Sequence, residues 1–461
     1  MNRVLAATTA ALLLSVPPAS VDAAARPHPV PTSESAPTGA LHTELESSTP
    51  ARDTTVGRAL ERVVLVFSGP VEARLSRIRW VGPAGDTVSL EISAAADRPH
   101  VLIGEAPPAM NGMQRLIWRT VSIDGHQVNG EIPFVVDAPG LPRPETGDRA
   151  QGTAEPAGRD TLGREAGAAP GDADVDRAEG PSTARLAVGG FGLFCLLGFA
   201  GLLWFGSGST ILDEPRSHRL ASILGLAASL LLALDVVLWL SELRMPGSDL
   251  AATFGLVLDT RSGLVEIGRV ALAGLAFLLF AGTRGVKLGA VVAMLAVVVG
   301  ALGGHQASIR PLVSLPANGL HLGAAAVWTG GILLLGVWPS RPETAAGVGW
   351  TFRRVALRVS TAAFWASAAI LVTAVVQDLL YLPSIGAIFT SEYGKLLLAK
   401  GAGFAALIGF GAYNRLRLIP ALDEAGAGAA RLRRSVRLEL IIVIVVVLVA
   451  VALGQVPPPV E

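Results

Sequence analysis

In the stretch Ser-Ile-Asp-Gly-His-Gln-Val-Asn-Gly, residues 122–130, an acid and an imidazole stand two positions apart on either side of a glycine. Asp124 and His126 are residue types that serve metal ligation and proton transfer alike. Gly125 between them lets the backbone bend sharply, so both side chains can reach one point. The stretch joins two strand-like runs, Arg115–Thr120 and Ile132–Val136. Asp-Gly is also the ordinary dipeptide of a hairpin turn, where a neighbouring His is simply solvated. The turn alone leaves both readings open.

The elements that must hold this turn follow from composition. The chain has 461 residues, of which 51% are hydrophobic and only 16% charged, too apolar for an ordinary soluble protein. Residues 1–25 combine Arg3, an apolar core at Leu5–Leu14 and a small-residue Ala23-Ala24-Ala25 end, the pattern of a secretory signal peptide. The residues beyond Ala25 are expected outside the cytoplasm. The single cysteine, Cys195, lies in an apolar run and has no intrachain disulfide partner. Lys and Arg balance Asp and Glu at 37 each, which argues against nucleic acid as a partner. No nucleotide-binding loop occurs, so ATP is not the energy source.

Residues 26–40 form a Pro/Ser/Thr-rich spacer. Short apolar runs then recur at Arg62–Phe67, Leu75–Trp80, Val88–Ile92, Val101–Ile103, Leu116–Val121 and Ile132–Val136, which predicts a small β-sandwich or barrel over 41–136. Residues 137–183 are rich in Pro, Gly, Ala, Asp and Arg with few large apolar side chains, which predicts a linker with no core of its own. From 184 to 456, eight apolar stretches centred near 196, 230, 272, 296, 327, 366, 405 and 446 are long enough to cross a bilayer, at about 17–25 residues each. Most Lys and Arg fall in alternate loops, from Arg216 and Arg219 through Arg353 and Arg354 to Arg431–Arg437, whereas the other loops hold only Arg244, Arg261 and Arg310, with Lys395 at a helix mouth. The basic loops face the cytoplasm, so the N-terminal domain lies outside and the protein is multi-pass in the plasma membrane.

Ionisable groups inside a span are costly and are functional candidates by default. Asp235 is expected about five residues below the outer end of the second span, roughly 7 Å deep. His305 ends the fourth span, and His321 lies about two turns into the fifth. An acid and two imidazoles at one depth predict a metal site entered from outside. Glu266 and Arg269, spaced i to i+3, are read as neutralising each other. Trp328 is read as packing or a pore wall. At the mouth of the seventh span, Lys395 snorkels, while the deeper Lys400 needs an acid on a neighbouring helix, with Glu392 and Asp378 near the same mouth.

These segments resemble a known pair of families. LHTELESSTPA, VLVFSGPVEARLSRI and LIWRTVSIDGHQVNGEIPFVV resemble, in that order, the periplasmic copper-binding CopC family, a Greek-key β-sandwich. LGGHQAS, NGLHLGAAAVWTGGILLLG, SEYGKLLLAKGAG, AYNRLRLIPAL and RRSVRLEL resemble its membrane partner family, CopD. The resemblance covers about 41–136 and 186–455 and implies a CopC–CopD fusion for copper resistance or uptake, a carrier rather than an enzyme. It implies a Cu(II) site on His42, Asp124 and His126, and makes copper, as Cu(I) or Cu(II), the ion for Asp235, His305 and His321. Copper ions, the lipid bilayer and other periplasmic copper carriers are the implied partners.

The chain departs from the family pattern in one respect. There the first His is the mature amino terminus and its amine also binds copper; cleavage after Ala25 leaves His42 internal. His28 offers no substitute chelate, because Pro27 has no amide N–H. Met110 and Met113 are soft enough for Cu(I), but two Met are fewer than the cluster of family members that hold Cu(I), and packing is the competing reading. Two other functions stay open: a membrane redox protein whose two membrane His ligate haem, and a copper sensor without transport.

Overall fold

A computed structural model describes residues 43–142 and 182–456, apart from positions 96, 109, 123–126, 245–248, 283–284, 304–309, 340–350, 383, 385 and 423–426. Strands β1 (Leu45–Thr49), β2 (Thr55–Val56), β3 (Arg62–Phe67), β4 (Arg77–Val81), β5 (Thr87–Ser89), β6 (Ile92–Ala95), β7 (Arg98–Glu105), β8 (Gly112–Val121) and β9 (Gln127–Val136) form two sheets. Their orders are β1-β3-β7-β6 and β2-β9-β8-β4-β5. The chain changes sheet at every connection except β4–β5, β6–β7 and β8–β9, which gives a sandwich with crossing connections.

Alternation selects the buried face. Val63, Leu65 and Phe67 of β3 point inward, as do Leu116 and Trp118 of β8, and all are at most 5% exposed. Phe67 meets Trp118 edge to face at 5.3 Å, and Trp80 meets Phe134 at 5.2 Å. Across the β8–β9 ladder Trp118 lies opposite Gly130, where a Cβ would come within 2.7 Å of its ring, so only glycine lets the indole lie flat on the neighbouring strand. The run Val88–Ile92 is divided between two strands rather than forming one. Leu90 turns inward and its N–H donates to the carbonyl of Ile78, and the chain then passes to the other sheet. The run at Leu75 begins as a 3₁₀ turn, Ala73–Leu75, before β4 starts. Nor does the sandwich stop at 136. The Asn111 side chain donates to the carbonyls of Ala138 and Leu141 at 3.0 Å and accepts from the Ala138 N–H at 2.7 Å, which clamps this stretch onto the core.

The second half is helical: α1 (Thr183–Gly206), α2 (Pro215–Leu243), α3 (Leu250–Leu258), α4 (Arg261–Ala281), α5 (Val286–Val299), α6 (Pro311–Val337), α7 (Phe352–Tyr381), α8 (Ala387–Thr390), α9 (Glu392–Tyr413) and α10 (Ala427–Leu453). Among the described residues, seven helices are long and apolar enough to cross a membrane: α1, α2, α4, α6, α7, α9 (with the turn to Leu418) and α10. The expected span near 296 is shorter, a 17-residue apolar helix Val286–Leu302, about 25 Å long. It ends where Gly300 and Gly303 flank a last 3₁₀ turn.

Helix α1 is the centre of the bundle, with Leu196, Phe199, Leu202, Leu203 and Phe205 buried among α2, α5, α6 and α10. It meets α6 backbone to backbone. A Cβ on Gly201 would overlap the carbonyl of Ala326, and one on Gly330 would overlap Gly201 itself. Small residues of this kind replace hydrophobic driving force inside a bilayer, where packing is what holds helices together. Gly201→Ala is therefore expected to cost about 1–3 kcal/mol by overpacking, read as a lower melting temperature in detergent. Gly268→Ala, at a position with open space around it, should leave the melting temperature unchanged.

Candidate metal centres

One short segment, Ser68–Glu72, assembles the end of the sandwich that carries the Asp-Gly-His turn. The Glu44 N–H donates to Ser68 Oγ and the Ser68 N–H to the Glu44 carbonyl, both at 2.9 Å, and a Cβ on Gly69 would sit 3.2 Å from Thr43 Oγ1. The Val71 N–H donates to the carbonyl of Pro99 at 3.0 Å, and Val71 forms a β-bridge with Ser122. The Glu72 N–H donates to the Val121 carbonyl at 2.7 Å. Glu44, two residues after His42, and Ser122, two residues before Asp124, are thus tied to the same five residues. His42, Asp124 and His126 themselves lie outside the described residues, as does His305.

Two residues at this end were not foreseen. Glu72 is half-buried, and burial pushes its carboxyl above the usual glutamate range, with Arg74 pulling the other way. His100 lies within β7 beside Pro99, whose carbonyl accepts from Val71, and so at the same end. Both come from segments distant in sequence from the Asp124–His126 motif, which a local motif does not reveal. Met113, by contrast, is 67% exposed on β8, so core packing does not account for it; Met110 is half-buried and its carbonyl accepts from Gln114 Nε2.

This same end rests on the helices. Leu75 and Val121 are buried against Val236, Trp239, Leu240 and Leu243 of α2 and Val257 of α3. The Arg119 guanidinium donates to the Glu242 carbonyl, and Arg74 pairs with Asp259 just after α3. The Glu242 side chain in turn accepts from Ser182, the N-cap of α1, through its N–H at 3.0 Å and its hydroxyl at 2.8 Å, and pairs with Arg185 at 3.0 Å. Arg185 also lies over the Trp239 ring, 5.7 Å from its centroid.

Inside the helical half, Asp235 is deeper than expected. Helix α2 runs on to Leu243, so Asp235 lies eight residues from its end, about 12 Å. Its carboxylate stands 3.6 Å from Arg185 and against Gly189 of α1, within electrostatic reach of Glu266 and Arg269. Glu266 and Arg269 pair at 2.7 Å, the mutual neutralisation expected of their spacing. His321 lies ten residues into α6, nearer three turns than two. No hydrogen bond or ion pair joins Asp235 to His321 among the described residues, and no three His, Cys, Asp or Glu among them gather as a metal site.

The surroundings of His321 fix its chemistry. Its Nδ1 lies 3.0 Å from the Thr373 hydroxyl of α7, and that hydroxyl sits 2.7 Å from the Ala369 carbonyl and 3.0 Å from that of Ile370. With the hydroxyl proton on the Ala369 carbonyl, the oxygen accepts from Nδ1–H and the ring takes the Nδ1–H tautomer. Nε2 is left with its lone pair, the arrangement that prepares an imidazole to ligate a metal. Lys400 of α9 is within electrostatic reach of both His321 and Asp378, so Asp378 of α7 is the neighbouring acid sought for it. Lys395 pairs with Glu392 at 2.5 Å. Trp328 is packed edge to face on Phe404 at 5.5 Å.

Comparison with known proteins agrees with this division. Residues 45–137 match the CopC domain family and residues 353–453 the family described as copper resistance protein D. The copper transport protein CutJ of Bacillus subtilis (strain 168) is 25% identical over 411 residues, 82% of this chain and 68% of that protein. Copper resistance protein C of Escherichia coli is 31% identical over 103 residues, 21% of this chain and 81% of that protein. Among solved structures, CopC from Methylosinus trichosporium OB3b is 31% identical, with 21% of this chain and 96% of that one covered, at a TM-score of 0.21. PcoC, a methionine-rich copper resistance protein from Escherichia coli, is 30% identical over 21% and 98% of the two chains, at a TM-score of 0.19.

Proposed function

Because the chain belongs to the copper resistance family, as a CopC domain fused to a CopD membrane domain, we propose that it captures copper outside the cytoplasm and passes it inward through the helical half. The protein is a multi-pass plasma-membrane protein with its CopC domain outside. The observation that carries the proposal is the joint: the end of the sandwich where β8 stops at Val121 and β9 starts at Gln127 is the end seated on α2 and α3. An ion released there has only the outer leaflet of the bundle to cross before it meets His321.

In this reading His42, Asp124 and His126 hold Cu(II), because imidazole and carboxylate donors suit its tetragonal preference. Glu72 and His100 stand at the same end of the fold, and Glu72 adds negative charge there when ionised. His321 receives the ion on Nε2, with Thr373 holding the ring. Lys400 would repel a cation at that point, and Asp378 offsets its charge. His305 and Asp235 complete the path in the outer half, Asp235 through its charge rather than by contact with His321. Met110 and Met113 offer a thioether pair on the outer domain for Cu(I).

For the isolated segment 41–142, calorimetric titration with Cu(II) should give one site, weakened at least about tenfold by His126→Ala or Asp124→Asn. Asp86→Asn, in the β4–β5 turn at the opposite end of the sheet, should bind as the parent does. Equal affinity in all of them would refute the ligand set.

Copper uptake into proteoliposomes made with the full chain should fall to the protein-free level for His321→Ala. Undiminished uptake by that variant would remove His321 from the path, and a haem band in the purified protein's absorption spectrum would replace the copper reading with a redox one.

A further inference from the structure

The segments AYNRLRLIPAL and RRSVRLEL take no part in the outer sites, yet the fold joins them at the inner end of the bundle. Helix α9 ends in a π-helical turn, Asn414–Leu418, which keeps Asn414 and Leu418 buried while Arg415, Leu416 and Arg417 stay exposed. Turns of this kind are rare and cluster at functional sites. Asn414 Nδ2 donates to Glu439 Oε1 of α10. The two residues are 6% and 4% exposed. Ser435, 7% exposed and four residues before Glu439, shares its helix face. Asn414 Oδ1 and Ser435 Oγ are both buried with no hydrogen-bond partner among the described residues.

The cluster therefore has a carboxyl group and two unmet oxygens, and it lacks a positive charge. The arginines that could supply one are engaged elsewhere or face outward. Arg415 donates to Ser360 and lies over Phe364, while Arg433 donates to the Trp338 carbonyl and lies over Phe352. Arg417, Arg431, Arg434 and Arg437 are exposed, as is Tyr413 of α9. The remaining charged residues of α9 (Glu392, Lys395 and Lys400), His321 of α6 and Arg185 of α1 belong to the outer half of the helices packed on α10. Among the described residues no ion pair reaches Glu439.

A bare carboxylate facing only a neutral amide at this depth costs several kcal/mol. A proton on Glu439 removes the charge and supplies an O–H donor for the Asn414 amide oxygen, which can only accept. An all-oxygen set without imidazole or sulfur is a poor one for copper. We propose that Glu439, Asn414 and Ser435 form a proton-binding site at the inner mouth, exchanging its proton with cytoplasmic water, and that this exchange couples copper movement to the proton gradient. The step is a simple protonation: carboxylate plus proton gives the acid, and release reverses it. The coupling rests on the transport reading above; the proton site does not.

Two measurements on the full chain separate the two claims. Infrared difference spectra between about pH 5 and 9 should show a titrating carboxylic-acid C=O band that is lost in Glu439→Gln, with Glu439→Asp shifting it; the same titrating bands in Glu439→Gln and parent would overturn the site. In proteoliposomes with the membrane potential clamped, an imposed pH gradient should change the copper flux of the parent several-fold and leave the flux of Glu439→Gln indifferent to it. An equal gradient response in both would overturn the coupling. Copper flux absent from the parent itself would instead sink the transport reading, with the infrared band still deciding the site.

Discussion

Glu242 holds three parts of the molecule at once. Its carboxylate caps α1 through Ser182 and pairs with Arg185, its place near the end of α2 puts that helix beside α1, and its carbonyl takes Arg119 of the sandwich. The apolar contact between the sandwich and the helices is small, seven buried residues, so polar contacts at the bilayer surface help to set their relative position. Here they are reinforced by Leu75 and Val121 against Trp239 and Leu243. Because β8 ends at Val121 in this joint, the sandwich end where β8 stops and β9 starts is the end against α2 and α3.

The cost of charge in a low dielectric organises the remainder. In the outer half, charged groups come with opposite partners: Arg185 with Glu242 and Asp235, Arg269 with Glu266, and Lys400 with Asp378 in its neighbourhood. Near-neutrality of that kind lets a cation enter without facing an uncompensated charge. The inner half is different. Glu439 has an amide and unmet oxygens around it and, among the described residues, no cation paired with it, so the proposals assign different chemistry to the two ends of the bundle, a metal outside and a proton inside.

Much of this is legible in the sequence, for reasons of range. Hydropathy reports burial in lipid residue by residue, so the membrane helices stand out, although the span near 296 is short because glycines end it. Strands with strict alternation, such as Arg62–Phe67, are placed to the residue. β1 escapes such a reading because Leu-Glu-Ser-Ser-Thr is mostly polar at a sheet edge, and β2 because its two residues are held only by parallel pairing with β9. The Asp-Gly-His motif is visible as local chemistry. The placement of His100 and Glu72 at this end, the joint at Glu242 and the Asn414–Glu439 contact are not visible in it, since each arises from segments brought together only by the fold. Asp235 illustrates the middle case: its burial is readable from hydropathy, but its partner Arg185 lies fifty residues away on another helix.

The account stands or falls on the joint between the two halves, and a cross-link reads it directly. Arg74 and Asp259 pair across the joint and both are exposed; an arginine side chain reaches farther than a disulfide spans, so in a Cys195→Ser background the double variant Arg74→Cys, Asp259→Cys should be joined rapidly in membranes by a short bis-methanethiosulfonate, and the cross-linked protein should go on moving copper. A pair that stays unjoined, or a joined pair that abolishes copper movement reversibly with reductant, would contradict the claim that the sandwich delivers its ion while seated on α2 and α3.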